Sequence, residues 1–310
     1  MRSVRNTEHG IQVLDGPAPE PSGDEVRVRV ATAGICGSDI HLLGWGPRPV
    51  TLGHEIAGWL DDGTPVAVEP VRRCGVCERC VAGDTHLCRE GQTIGIGVDG
   101  GMADELAVPP GCVVLLPDGL SVNDASLVEP VACAVHALHR ARVESGQRVA
   151  VVGGGTLGIA AVAAAVHAGC EVGTVTRHPH QAAAAEVVGG RPAEGRYDVV
   201  IEAAGTSSAF GQAADLARVR GTIAILGTYW DDLMAPGMPL TTKELDIVAC
   251  LAYGHHGGRR EVEDAAGLLA AVPELAGAMI THRFGLADAA EAFRVAADRS
   301  AGAIKVTLEP

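Results

Sequence analysis

Four cysteines in one short stretch of the chain have the spacing of a metal site. Cys74, Cys77, Cys80 and Cys88 form the pattern C-x2-C-x2-C-x7-C. Four thiolates at such a spacing can close a tetrahedron around one Zn²⁺ and leave no coordination position open, as in a structural zinc site. Two other interpretations are four reduced cysteines without a metal and an iron–sulfur cluster, although the proline typical of one iron–sulfur motif is missing.

A glycine-rich stretch has the pattern of a dinucleotide-binding loop. Gly153 to Gly158 reads G-G-G-T-L-G and fits G-x-G-x-x-G. It follows a compact apolar run, Arg148–Val152, and opens a helix predicted to run to about Ala168, which is the context that makes the motif informative. The alternative is a glycine-rich turn with no ligand.

Each glycine of this motif has a separate physical task. Gly153 permits the tight turn, Gly155 lets the backbone approach a pyrophosphate, and Gly158 allows close helix–strand packing. Thr156 and Leu157 then begin the helix, whose free N–H groups and partial positive charge favour phosphate.

The end of the next predicted strand, Val172–Val175, bears on the choice of cofactor. An acidic residue there would hold the ribose 2′-hydroxyl of NAD, but Thr176 and Arg177 follow instead. An arginine suits the 2′-phosphate of NADP, and His178 and His180 are near enough to assist. We therefore favour NADP over NAD; the alternative is that Arg177 is a solvated surface charge.

The elements that must position these groups fall into two classes. Val26 to Ala31 alternates valine with charged residues, which is typical of a half-buried strand. Short strands and glycine or proline turns continue to about Pro117, so the first third is predicted to be mainly β. From about Ser126, strands alternate with helices, which predicts a doubly wound parallel α/β sheet.

These patterns predict three segments. They are 1–125, with a zinc lobe at 74–88; 126–255, the dinucleotide-binding domain; and 256–310, whose last strand is able to return to the first domain.

Composition and charge exclude several classes of protein. The chain has 310 residues, of which 47% are hydrophobic and 20% charged, so it can bury a sizeable core. Its net charge of −14 disfavours nucleic acid and anionic membranes as partners. The N-terminus lacks the apolar segment of a signal peptide, and the longest apolar run is too short for a membrane span. We expect a cytoplasmic protein. It has nine cysteines, and in a reducing compartment clustered cysteines are interpreted as metal ligands in preference to disulfides.

Further motifs occur in an order that resembles a known family. They are Gly34-Ile35-Cys36-Gly37-Ser38-Asp39-Ile40-His41, Gly53-His54-Glu55, Gly100-Gly101-Met102-Ala103-Asp104-Glu105, Val199-Val200-Ile201-Glu202-Ala203-Ala204-Gly205 and Ala303-Ile304-Lys305-Val306. With the cysteine lobe and the glycine loop, the chain resembles the zinc-containing medium-chain dehydrogenase/reductase family, of the alcohol dehydrogenase superfamily, in its sorbitol/polyol or threonine dehydrogenase-like branch. The resemblance covers nearly the whole chain.

The resemblance implies a fold and a metal content. The first domain would be a mainly β GroES-like catalytic domain, and the second a Rossmann domain. Two zinc ions per chain are implied, one structural and one catalytic. Cys36 and His54 would be ligands of the catalytic zinc, together with one or both of Glu55 and Glu129.

The resemblance also implies a zinc-bound alkoxide mechanism with a proton relay. Ser38 would take the proton of the substrate hydroxyl, and His41 would pass it towards solvent. Asp39 would orient His54, and Lys305 would contact the cofactor pyrophosphate. The alternatives are a packed histidine at 41 and a surface lysine at 305.

The implied function is hydride transfer between a secondary alcohol, such as a polyol or sugar derivative, and NAD(P). Partners would be a small-molecule substrate and identical subunits in a homodimer or homotetramer. A non-catalytic NAD(P)-binding sensor or structural protein is the alternative. The stretch from His41 to Leu52 is shorter than in typical members, so the resemblance does not carry substrate identity. Trp45, Trp230 and Tyr229 are candidates either for the substrate pocket or for packing.

Overall fold

The computed structural model describes residues 1–298 and 300–310, which form two compact units. The first unit contains residues 1–129, 257–270 and 280–310, and the second contains residues 130–256 and 271–279. Segment 271–279, which we predicted as part of the C-terminal segment, groups with the second unit. The domain assignment itself stays a prediction.

The strands are numbered in chain order. They are β1 (Arg2–Thr7), β2 (Gly10–Asp15), β3 (Val26–Ile35), β4 (Glu55–Leu60), β5 (Pro65–Val68), β6 (Val71–Arg72), β7 (Gln92–Thr93), β8 (Glu105–Val108), β9 (Val113–Leu115), β10 (Arg148–Val152), β11 (Glu171–Val175), β12 (Arg191–Pro192), β13 (Tyr197–Glu202), β14 (Ala217–Ile225), β15 (Asp246–Ala249), β16 (His255–His256), β17 (Arg259–Arg260), β18 (Ile280–Gly285) and β19 (Lys305–Glu309).

The helices are numbered in the same way. They are α1 (Gly37–Leu43), α2 (Glu78–Val81), α3 (Val128–Arg140), α4 (Thr156–His167), α5 (Pro179–Val187), α6 (Ser207–Leu216), α7 (Gly237–Lys243), α8 (Glu261–Ala271), α9 (Glu274–Met279) and α10 (Ala289–Ala297). Across residues 1–298 and 300–310, none of the helices combines the length and the apolar character that crossing a membrane requires.

The first unit is built on a sheet with the strand order β18-β19-β3-β4-β5-β9, and β8 also pairs with β3. Strand β3 begins with the alternating valines, of which Val28 and Val30 are buried while Arg29 between them is exposed. Its second half is apolar and packs Ala33 and Ile35 into the core.

The C-terminal strand completes this sheet. Strand β19 pairs antiparallel with β3, with Val306 opposite Ile35, and β4 pairs antiparallel with β3 on its other side, with Glu55 opposite Gly34. This register brings the end of the chain beside the motifs that contain Cys36 and His54. The mainly β prediction for this part of the chain is confirmed.

The second unit is built on a parallel sheet with the strand order β12-β11-β10-β13-β14-β15. Numbered within the unit, this order is 3-2-1-4-5-6, the order of the Rossmann fold. The predicted doubly wound sheet is therefore confirmed. The order reverses between β10 and β13, and ligands of such sheets bind at the carboxyl ends of the strands near that reversal.

Candidate metal centres and dinucleotide loop

The four cysteines of the lobe come together with their sulfur atoms converging. The Sγ atoms of Cys74 and Cys80 are 4.0 Å apart, those of Cys77 and Cys88 are 3.9 Å apart, and those of Cys88 and Cys74 are 3.5 Å apart. Four sulfurs that each lie about 2.3 Å from a central zinc are about 3.8 Å from one another in a tetrahedron. The donor set and its dimensions therefore fit a four-coordinate zinc ion.

Backbone groups of the lobe favour its thiolates. N–H donors of Cys80 and Arg89 lower the pKa of the Cys77 thiol to about 6, and those of Val76 and Cys77 lower the pKa of Cys74. Burial has the opposite effect at Cys80 and raises the pKa of its thiol. A cation at the centre would favour the charged form of all four sulfurs, because zinc binds cysteine as thiolate.

A second group of possible ligands lies in the first unit. One ligand atom each from Cys36, His54 and Glu55 lies within 4.8 Å of the others. Cys36 follows β3 directly and caps α1, and the turn at Gly53 leads through His54 into β4. Gly53 has φ +97°, and a Cβ there would lie 2.6 Å from Cγ of Met102, so this turn requires glycine.

His54 is held between two side chains of α1. Its Nδ1 lies 3.4 Å from the Asp39 carboxylate, and its Nε2 lies 3.4 Å from Oγ of Ser38. Asp39 is itself fixed, since its other oxygen accepts the backbone N–H of Cys36 at 2.9 Å. A carboxylate behind one ring nitrogen is the usual partner of a metal-binding histidine and leaves the other nitrogen to face the metal.

The electrostatics of this pocket suit a cation. Burial alone would lower the pKa of His54, but the charges and hydrogen bonds of Asp39 and Cys36 outweigh it and raise the pKa well above its ordinary value. The anionic groups around this buried histidine favour positive charge there, which fits a metal ion. Thiolate, imidazole and carboxylate together form a donor set that zinc accepts.

Glu55 has a cationic partner already. Nζ of Lys305 lies 2.7 and 2.6 Å from the two carboxylate oxygens of Glu55 and donates to the carbonyl oxygen of Ile35 at 2.9 Å. The side chains of Lys305 and Glu55 are 2% and 1% exposed. This excludes the interpretation of Lys305 as a surface lysine, and its predicted contact with a pyrophosphate stays a prediction.

Two further predicted site residues, Glu129 and His41, also belong to the first unit. Burial lowers the pKa of Lys305, but the carboxylate of Glu55 raises it. Cys36 and Glu129 also raise it, so the net shift is upward. Glu129 thus contributes charge to the cluster, and its ligation of zinc stays a prediction. His41 is exposed in the last turn of α1, so it is not a packed core histidine.

The glycine loop has the backbone geometry that the motif predicts. Gly153 has φ +114°, and a Cβ on it would lie 3.0 Å from the backbone of Ala203 and Ala204. A Cβ on Gly158 would lie 1.8 Å from the carbonyl oxygen of Gly153, whereas a Cβ on Gly155 would meet nothing within 4 Å. Gly155 therefore leaves an open approach at the N-terminus of α4, where Thr156 and Leu157 are the first helical residues.

Thr176 and Arg177 follow β11 directly. Arg177 is exposed, and the rings of His178 and His180 are stacked with centroids 5.4 Å apart. The sequence reasoning missed Gln181, whose Oε1 accepts the backbone N–H groups of Arg177 and His178 at 3.3 and 3.4 Å. The signal for it was a glutamine three residues after a helix-capping position, as in a capping box.

Of the aromatic candidates for a substrate pocket, Trp45 is 71% exposed and Trp230 is 38% exposed. Tyr229 instead donates a hydrogen bond to the buried carboxylate of Glu202 at 2.9 Å. The sequence reasoning gave Glu202 no role of its own.

Comparisons with known proteins identify the family. Residues 22–118 match the alcohol dehydrogenase GroES-like domain. The chain is 32% identical over 298 aligned residues to an uncharacterized zinc-type alcohol dehydrogenase-like protein of Haemophilus influenzae, covering 84% of each chain. The chain belongs to the zinc-containing medium-chain dehydrogenase/reductase family.

Two crystal structures of relatives share the whole fold. Galactitol-1-phosphate dehydrogenase of Escherichia coli has a TM-score of 0.91 and 29% identity, over 100% of both chains. A zinc-binding dehydrogenase of Sinorhizobium meliloti 1021, solved with NADP bound, has a TM-score of 0.87 and 30% identity, over 100% of this chain and 99% of the other. The predicted GroES-like domain and the predicted family are confirmed, and the chain is an enzyme of the alcohol dehydrogenase superfamily.

Proposed function

We propose that this medium-chain dehydrogenase oxidises a secondary alcohol, reducing NAD(P), with zinc at the Cys36–His54 cluster. The observation that carries the proposal is the position of His54 beside the Asp39 carboxylate and the Cys36 thiol. Two residues with carboxylate groups, Glu55 and Glu129, contribute charge to the same cluster. A zinc ion held by three protein ligands keeps a position open and acts as a Lewis acid on a substrate oxygen. Cys36, His54 and one or both glutamates would hold it.

The residues around the cluster have separate tasks in this proposal. Asp39 holds the ring of His54 with Nε2 directed away from the carboxylate. Ser38, whose Oγ faces that nitrogen at 3.4 Å, accepts the proton from the substrate hydroxyl. His41, exposed in the same helix, passes the proton to solvent, since an imidazole ring can both accept and donate a proton.

The lobe of Cys74, Cys77, Cys80 and Cys88 would hold the second zinc ion of each chain. With all four positions of the metal filled by thiolates, this ion stabilises the lobe and takes no part in hydride transfer.

For the cofactor we propose NADP in preference to NAD. Arg177 follows the second strand of the Rossmann sheet, where NAD enzymes place an acidic residue, and its exposed guanidinium suits a 2′-phosphate. The relative from Sinorhizobium meliloti was solved with NADP.

For the substrate we propose a polyol or sugar derivative. A carboxylate in the metal shell in place of a thiolate suits a substrate with neighbouring hydroxyl groups. Galactitol-1-phosphate dehydrogenase of Escherichia coli is named for a phosphorylated polyol, which supports the class but not the identity of the substrate.

For the assembly we propose a cytoplasmic homodimer or homotetramer. Strand β15 is the last strand in the order of the second sheet, and Ile247 on it is 47% exposed. An edge strand with exposed apolar side chains is a surface that another copy can cover. The acidic chain remains a poor candidate for nucleic acid or anionic membrane.

A panel assay tests the proposal. Reduction of NADP and of NAD is followed spectroscopically with polyols, sugar acids and simple secondary alcohols, before and after dialysis against a chelator. We expect turnover of at least one secondary alcohol, faster with NADP, lost on chelation and restored by zinc. Cofactor binding without turnover of any member of the panel would favour the non-catalytic sensor.

A further inference from the structure

Glu202 is a buried acid that lies outside both metal clusters and outside the glycine motif. It is the last residue of β13, and its side chain belongs to a residue with 0% exposure. A buried carboxylate is costly unless hydrogen-bond donors surround it. Three donors do so here, and they come from two different loops.

The first two donors belong to the loop that follows β13. Oε1 of Glu202 accepts the backbone N–H groups of Ala204 at 2.8 Å and Gly205 at 2.9 Å. The carboxylate therefore fixes the conformation of residues 203–206, which lead into α6.

The third donor belongs to the loop that follows β14. Oε2 accepts the hydroxyl of Tyr229 at 2.9 Å, and the same hydroxyl lies 3.3 Å from the carbonyl oxygen of Thr206. The main-chain oxygen of Glu202 also accepts the N–H groups of Leu226 and Gly227, each at 2.8 Å. Glu202 thus joins the loops after β13 and β14.

The surroundings of Tyr229 keep its hydroxyl as the donor of this hydrogen bond. Burial raises the pKa of the Tyr229 hydroxyl, and the charge of Glu202 raises it further, so the tyrosine stays a donor. Burial raises the pKa of Glu202 while its donors oppose that shift.

The joined loops lie directly against the glycine motif. Ala203 donates its N–H to the carbonyl oxygen of Val152 at 2.9 Å, and a Cβ on Gly153 would lie 3.0 Å from the backbone of Ala203 and Ala204. A Cβ on Gly227 would lie 2.3 Å from the backbone nitrogen of Gly205. The three loops after β10, β13 and β14 therefore lie in close backbone contact with one another.

We propose that Tyr229 and Glu202 are positioning residues for the dinucleotide. Their hydrogen bond holds the loops after β13 and β14 against the turn at Gly153, so that this side of the site is formed before the cofactor arrives. A site that is already ordered loses little conformational entropy when the cofactor binds, and its affinity for the cofactor is therefore higher. The inference rests on the proposed function, because it requires that the glycine motif bind NAD(P).

The test removes, in two separate variants, a tyrosine hydroxyl that lies near one end or the other of β13. Y229F removes the donor to Glu202 and keeps the ring. Y197F is the matched control, because Tyr197 is buried at the opposite end of β13, where its hydroxyl accepts the backbone N–H of Glu194 at 2.9 Å. Each variant loses one hydrogen-bonded hydroxyl of a buried or half-buried tyrosine in the same unit, which controls for general destabilisation.

Two measurements are made on the full-length, zinc-loaded protein. The Kd for NADPH and for NADH is measured by fluorescence titration, and the exchange rates of the Ala204 and Gly205 amide hydrogens are measured without cofactor. We expect Y229F to raise the Kd about tenfold and to speed exchange at both amides, since one hydrogen bond contributes about that factor. Y197F should leave the Kd and those two amides unchanged.

A double-variant series shows whether Tyr229 acts through Glu202. If it does, Y229F combined with E202Q raises the Kd no more than the worse single variant. The proposal is overturned if Y229F binds as tightly as the wild type, or if Y197F weakens binding equally. If the wild type binds neither NADPH nor NADH, the proposed function itself fails, and the wild-type titration alone distinguishes that result.

Discussion

Asp39 and His54 show how a carboxylate sets the direction of a candidate metal ligand. Asp39 receives the backbone N–H of Cys36 on one oxygen and faces Nδ1 of His54 with the other, so it ties together the two residues that would bind zinc. Both side chains are buried, which removes the competition of water for these contacts.

Replacing Asp39 should therefore weaken the centre without removing a ligand. We expect D39N to lower kcat/KM by about 10- to 100-fold and to weaken zinc retention, because the ring of His54 loses its anionic partner. The matched control is D62N, which makes the same change at an exposed loop carboxylate that accepts the N–H of Thr64. Equal kinetics of D39N and D62N would contradict the role given to Asp39.

Lys305 and Glu55 form a pair in which each charge depends on the other. K305M should lower the free energy of unfolding by about 3–5 kcal/mol, since it leaves the Glu55 carboxylate buried without its cation. The double variant K305M/E55Q removes both charges and should recover part of that loss. Urea denaturation measures both values. A K305M protein as stable as the wild type would show that the pair contributes nothing to folding.

The sequence predicted some of these residues and not the contacts between them. The cysteine lobe was predicted from residue type and spacing, whereas Cys36 and His54 were named as candidate ligands only through the resemblance to the family. The pairing of Glu55 with Lys305 joins residues 250 positions apart, and it follows from the register of β19 on β3. No local pattern shows such a register.

At the level of elements, the alternating strands and helices of the second unit followed the predicted order. Strand β10 has the predicted bounds, because its apolar run ends at Gly153, where a positive φ turns the chain out of the strand. Strand β3 runs four residues beyond the predicted end at Ala31, and the prediction missed α1. The first error arises because the later half of β3 is buried on both faces and shows no alternation.

The first turn of α4 should tolerate no side chain at Gly158, the last glycine of the motif. We expect G158A to raise the Kd for the cofactor at least about tenfold, because its Cβ would meet the carbonyl oxygen of Gly153. G211A is the control, since Gly211 lies in α6, where an added Cβ meets nothing within 4 Å. Cofactor titration of both variants checks this, and unaltered binding by G158A would contradict the packing described for the motif.

Asp198 links three strands at the amino end of the parallel sheet and makes stability depend on pH. Its carboxylate accepts the backbone N–H of Arg148 at 2.9 Å and Nε of Arg218 at 2.7 Å, and these two hydrogen bonds lower its pKa. Because the folded pKa lies below the ordinary value of about 3.9, this stabilisation is present above about pH 4 and is lost as the pH falls further.

We therefore expect D198N to lower the free energy of unfolding by about 1 kcal/mol at neutral pH, and the difference from the wild type to shrink below about pH 4. The control is D118N at an exposed carboxylate. Denaturation at several pH values measures the difference. A constant difference across the acid range would refute the assignment.

At the scale of the whole molecule, family and fold could be read from the sequence, but the substrate could not. The motifs lie in the order that the family shares, and both the parallel sheet and the GroES-like match agree with them. In the proposed mechanism, substrate choice would depend on side chains around the metal site, and no sequence motif specifies them. The loop after α1 has no motif either, because contacts distant in sequence fix it: Asn6 and Arg48 donate hydrogen bonds to the backbone of Gly46 and Ile96.

The central claim is that Cys36 and His54 hold a zinc ion on which catalysis depends. The most direct test is the zinc content per chain of the wild type and of C36S, with the rate of cofactor reduction measured on the same samples. We predict about two zinc ions and turnover for the wild type, and about one zinc ion and no turnover for C36S. A C36S protein that keeps both zinc ions and its activity, or a wild type that turns over with only the cysteine lobe filled, would contradict the account.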